Sequence, residues 1–205
     1  VSTTFFDRDA GGARLLWGVA ALASVAIALA SFRYLVGFGP MPEPIMANAY
    51  ANPWLPVHVA AAATALLVGA FQFLGGVRRR WPALHRWTGR VYVFACLVGA
   101  VSGFVLALGT TTGPVATAGF GTLSVAWLIT TLLGWRRATQ RRFAAHRAWM
   151  IRSWWLTFAA VTLRIYLGAS FATGLPFELS YPAISFLCWV PNLIAAELYL
   201  RRQSA

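Results

Sequence analysis

The stretch LHRWTGRVYVFACLVGAVSGFVLALG, Leu84–Gly109, sets a histidine and two arginines ahead of a run with no charged residue. A run of that kind spans the hydrocarbon core of a bilayer as a helix, which takes about 20 apolar residues. Comparable runs recur along the chain, and apolar residues make up 59% of it against 11% charged. A soluble domain is about one-quarter charged. The composition therefore predicts an all-α integral membrane protein, a single bundle of about six transmembrane helices. A chain of 205 residues leaves no room for a separate soluble domain. The spans fall at about 14–36, 54–77, 86–109, 114–135, 148–173 and 180–200. The first, LLWGVAALASVAIALASF after Arg14, also has the character of a signal peptide, but its length favours a retained helix.

The net charge of +12 comes from arginines gathered between the spans. One cluster holds Arg78, Arg79, Arg80, Arg86 and Arg90; a second runs from Arg136 through Arg152; Arg201 and Arg202 close the chain. The alternate connections, GFGPMPEPIMANAYANP, GTTTGP and TGLPFELS, contain glutamates and no arginine. That is the positive-inside pattern of cytoplasmic loops. It predicts both termini in the cytoplasm of a bacterium, with the bundle in its inner membrane, and it argues against nucleic acid as a partner. Cys96 and Cys188 fall inside spans, where a disulfide is not expected.

The chain has three histidines, and helical phase shows what shares a face with each. With His58 lie Ala62, Ala65, Gly69, Gln72 and Gly76; with His85 lie Gly89, Tyr92, Cys96, Gly99 and Gly103; with His146 lie Met150, Ser153, Thr157, Ala160 and Arg164. All three faces are small or polar. Close helix packing accounts for the small residues, whereas intramembrane histidine and arginine are costly and mark functional sites. A rise of ~1.5 Å per residue separates two groups. His85, His146 and Gln72, with Asn192 and Glu197, belong near the cytoplasmic side; His58, Arg164 and Arg33 belong near the outer side.

Paired imidazoles at one depth are the axial ligand set of a b-type haem. His85 and His146 are the candidate ligands, with Gly89, Gly99 and Gly103 opening a slot beside Tyr92 and Gln72. Arg86, Arg90, Arg147 and Arg152 are candidate propionate partners, since a guanidinium makes charge-assisted bonds to carboxylates. A bare zinc or iron site asks for three or four protein ligands, which the sequence does not clearly supply. Met41 and Met46 with His58 form a weaker copper candidate. His58 and Arg164 are the candidate catalytic residues of an outer site for a quinone or another lipophilic reductant, with Glu178 or Glu43 as possible partners of Arg164. The function expected is that of a membrane redox protein acting with a redox partner protein. The rival expectations are a metal-dependent or proton-transfer enzyme acting on a lipophilic substrate, and a transporter or lipid-binding accessory subunit.

HVAAAATALLVGAFQF, LHRWTGRVYV and AHRAWMIRSWWLTFAAVTLR together resemble the bacterial family of predicted membrane proteins known as domain of unknown function 2306, over about residues 54–170. The family pattern contains all three histidines with Gln72, Gly89, Tyr92, Arg152 and Arg164 at matching positions. The resemblance implies a membrane bundle and supports this choice of residues; it implies no activity.

Overall fold

The computed structural model describes residues 12–39 and 43–204. It is helical, with no strand among the described residues. A bilayer offers the backbone no hydrogen-bond partner, so each crossing segment satisfies its own amides and carbonyls as a helix. Helix α1 (Gly12–Phe32) runs into a 3-10 turn (Arg33–Val36), and a short α2 (Glu43–Met46) follows. Then come α3 (Ala51–Gln72), a short α4 (Gly75–Arg80), α5 (Pro82–Leu108) and α6 (Pro114–Thr139). The chain ends with α7 (Phe143–Thr157), α8 (Ala159–Ala172), α9 (Phe177–Leu187) and α10 (Val190–Ser204). Taken as continuous segments, six are long and apolar enough to cross a membrane: 15–36, 51–72, 82–108, 114–139, 143–172 and 177–203.

The expected spans are all present, with their edges moved. The second stops at Gln72, not near 77, because Leu74 is extended (ψ 102°) and a separate turn carries Arg78–Arg80. The third begins at Pro82, which needs no N–H partner at a helix start. Trp81 ahead of it is non-helical, so His85 lies inside the first turn and not just outside the span. The fifth begins at Phe143, after Arg141 turns the chain with a positive φ of 59°.

Two spans are interrupted. The fifth divides at Phe158 and the sixth at Cys188–Trp189. Pro191, lacking an N–H, cannot bond back to Leu187 and weakens the sixth there. Carbonyls opened by the two breaks face each other, and buried Asn192 joins them. Its Nδ2 donates to Trp155 O at 3.3 Å and to Cys188 O at 3.0 Å. Thr162 Oγ1 accepts from the same amide at 3.1 Å and donates to Cys188 O. Asn192 thus belongs to this mid-span seam and not to the histidine cluster expected for it.

The fifth span touches every other span: α7 packs on α3, α6 and α10 and bonds to α5 through Tyr92, and α8 packs on α1 and α9. Close approach comes from small residues. A Cβ at Gly69 of α3 would lie 2.7 Å from the Tyr92 ring, and one at Gly99 of α5 would lie 2.9 Å from the Trp127 ring of α6. Bulky Leu22, Phe94 and Leu179 point outward, each more than two-thirds exposed, as lipid-facing residues should.

Gly99→Ala is therefore expected to destabilise the bundle by about 1–3 kcal/mol through overpacking. Gly168→Ala, where a Cβ meets nothing within 4 Å, should be neutral or slightly stabilising. Thermal unfolding in detergent micelles compares the two.

Candidate functional site

At the arginine-rich end, His85 occupies the first turn of α5 and His146 the first turn of α7. Their relation is set higher up. Tyr92 lies seven residues beyond His85, and Ser153 seven beyond His146; the Tyr92 hydroxyl and Ser153 Oγ are hydrogen-bonded at 3.0 Å. Helices α5 and α7 both leave the same end of the bundle, so that bond fixes their register. His85 and His146 each lie two turns back along their helices from that bond, ~10.5 Å at the helical rise. His85 is within electrostatic range of His146, Arg78 and Arg86.

The His146 ring is oriented by its own bond: Nδ1–H donates to Gly134 O at 2.8 Å. This leaves Nε2 with its lone pair, the arrangement in which a ligating histidine is held by a carbonyl behind it. Gln72 is nearby but engaged with α5, its Nε2 donating to Thr88 Oγ1 at 2.6 Å while Oε1 lies against Gly89.

The arginines divide by partner. Arg152 grips Glu197 of α10 through Nε at 2.5 Å and Nη2 at 2.9 Å, and its guanidinium stacks on Trp149 at 4.7 Å. Glu197 is accordingly its partner and not a member of the histidine cluster. Arg147 lies against Tyr199. Arg90 covers Trp87 at 5.2 Å and, like Arg86, is exposed. Among the described residues, no three His, Cys, Asp or Glu side chains come together to hold a metal ion.

The middle of the bundle contains a buried hydroxyl network that the sequence hinted at through Tyr92, Ser153 and Thr157. Thr131 Oγ1 and Ser153 Oγ are 2.7 Å apart, and Tyr92 also reaches Thr157 Oγ1 at 2.9 Å. Thr157 accepts from the Trp127 indole N–H at 2.9 Å and donates to Ser153 O at 2.9 Å. Counting protons gives one direction. With the Thr157 proton on Ser153 O, Tyr92 donates to Thr157, Ser153 to Tyr92 and Thr131 to Ser153. Each hydroxyl donates once, so a four-hydroxyl chain is satisfied without water. Thr131 and Trp127 are the members sequence reasoning missed; their only signal was polarity inside an apolar span.

At the far end, His58 Nδ1–H donates to Gly99 O at 2.9 Å, with Ser102 Oγ at 3.3 Å. A Cβ on Gly103 would meet the His58 ring at 3.0 Å. Gly99 and Gly103, expected to open a slot for a cofactor, are thus covered by Trp127 and His58. Arg164 is within electrostatic range of His58, Arg33 and Tyr34. It donates to Ser31 Oγ at 2.8 Å and to Ala160 O at 2.8 Å, not to Glu178 or Glu43. Met46 is exposed, and Met41, its expected copper-binding companion, lies outside the described residues.

A polytopic bundle with small-residue interfaces and polar groups turned inward defines a multi-pass integral membrane protein. The family described as "Predicted membrane protein (DUF2306)" matches residues 55–200. The chain belongs to that family, and the match takes in the sixth span as well as the segments that first suggested it. No curated protein and no solved structure matches it.

Tyr92→Phe removes one hydroxyl and leaves the Ser153 donor without its acceptor. A loss of about 0.5–2 kcal/mol is expected. In a double-mutant cycle with Thr131→Val, the losses should fall short of additive, because both act on one chain of bonds. Unfolding midpoints of the two single variants and the double variant test this.

Proposed function

We propose that this protein is a membrane redox protein of the bacterial inner membrane, with both termini cytoplasmic, that holds b-type haem between His85 and His146. The observation that carries the reading is the shared register of α5 and α7. The Tyr92–Ser153 bond lies seven residues along each helix from its histidine, which supports a common depth for the two imidazoles, and Gly134 turns one ring to offer Nε2. Two imidazoles are a full axial set for haem and an incomplete set for zinc or non-haem iron.

With Gly99 and Gly103 covered by Trp127 and His58, a haem held by this pair would lie at the arginine-rich edge rather than deep in the bundle. Arg86 and Arg90, exposed at that end, would serve as partners for propionates; Arg147 lies against Tyr199, and Arg152, taken by Glu197, orients α7 against α10. When bound, haem would supply one-electron chemistry.

His58 gives the outer site its chemistry. With Nδ1–H committed to Gly99, its Nε2 would accept a hydrogen bond from a quinol hydroxyl. The positive charge of Arg164, within electrostatic range, would favour an anionic oxygen on the same ligand. A haem at the arginine-rich edge would need a redox partner protein on that side of the membrane.

Protein expressed with haem supplementation should show a Soret band and, after dithionite, an α band. His85→Ala and His146→Ala should each abolish them, and His58→Ala should leave them. Wild-type protein without either band sinks the haem reading; loss of bound metal on His58→Ala alone points to the far-end site instead. Reporter fusions should place the segment near Gln140 in the cytoplasm and the segment near Thr111 outside.

A further inference from the structure

Two arginines lie together in the far half of the bundle with no carboxylate against either among the described residues. Arg164 does not extend toward the far surface, as a snorkelling side chain would. Its Nη1 bonds back to Ala160 O, one turn deeper, and its Nη2 crosses to Ser31 of α1. Arg33, in the turn that ends α1, stacks on Tyr34 at 4.6 Å and donates to its hydroxyl at 2.9 Å. The Arg33 Nε is buried and has no hydrogen-bond partner. Both guanidiniums therefore meet only neutral acceptors, in a setting where an uncompensated charge is expensive.

The surroundings show from which side an anion would come. Leu29 and Ile165, flanking the pair on α1 and α8, are 59% and 60% exposed and face lipid. One turn beyond Arg164 toward the far surface, Gly168 leaves open space where a side chain would stand. We propose that Arg33 and Arg164 form a binding site for the phosphate of an anionic phospholipid, admitted from the outer leaflet past Gly168 along the α1–α8 face. Planar guanidiniums bind phosphate oxygens through paired N–H groups. The Arg33 Nε supplies a donor so far unused. This site is separate from the histidine pair but shares Arg164 with the site proposed at His58, so a phosphate bound there would compete with a quinol anion for that guanidinium; its test needs no haem.

The full chain, purified in a zwitterionic detergent, is mixed with phosphatidylglycerol and phosphatidylcholine, and retained lipid is counted by native mass spectrometry. Wild-type protein should retain phosphatidylglycerol in preference. Arg164→Gln and Arg33→Gln should each weaken that preference by about five- to tenfold, the scale of one arginine at an anionic lipid. Arg164→Lys should keep only part of it, since an ammonium retains the charge but not the paired N–H groups, and Arg201→Gln, at the opposite end, should change nothing. Equal retention of the two lipids by wild-type protein overturns the proposal, as does unchanged preference in both glutamine variants. Displacement of phosphatidylglycerol by excess inorganic phosphate would overturn the lipid as ligand and assign the site to free phosphate. If Arg164→Gln fails to fold, Arg33→Gln alone decides.

Discussion

The hydroxyl of Tyr92 is the point on which the arrangement of the bundle turns. Its ring fills the notch that Gly69 leaves in α3, and its oxygen bonds two residues of α7, one of which continues to Thr131 of α6. Four spans are thereby related through one side chain. In lipid, apolar surface gives helices no reason to prefer one another, so packing and interhelical hydrogen bonds carry the specificity. A directed chain of hydroxyls, each with one donor and a defined acceptor, admits one register of α5 against α7 and penalises its neighbours.

That register makes the histidine pair a property of the fold rather than of two separate loops. His85 and His146 are each two turns from a partner in the Tyr92–Ser153 bond, and each begins its helix at the same end. The far end follows another principle. His58 is tied to the carbonyl of Gly99, a glycine whose missing side chain also makes room for Trp127. One residue thus serves helix approach on one side and imidazole orientation on the other.

Much of this was legible beforehand, for identifiable reasons. Six spans follow from hydropathy alone, and the helical phase of Gly89, Tyr92, Gly99, Ser153 and Thr157 told which faces turn inward. The separation of His58 from His85 and His146 followed from counting residues. What could not be read was partner choice. Arg152 and Glu197 are 45 positions apart, and Arg164 and Ser31 are 133 apart. Nothing local in either segment names the other. The helix breaks were hidden too. Phe158 is an ordinary helix residue, and only the juxtaposition of two interruptions explains why Asn192 is buried between them.

The seam made by Asn192 has a mechanical corollary. Spans five and six are each two rods, and their joints lie at one level, stitched by a single amide and a threonine. The unbroken helices α5 and α6 stand beside them, with α3 continuous only beyond its kink at Asn52. The joint separates α8 from α7 mechanically, whereas α5 runs as one rod from the arginine-rich end to the far end, and His58 is bonded to that rod through the carbonyl of Gly99.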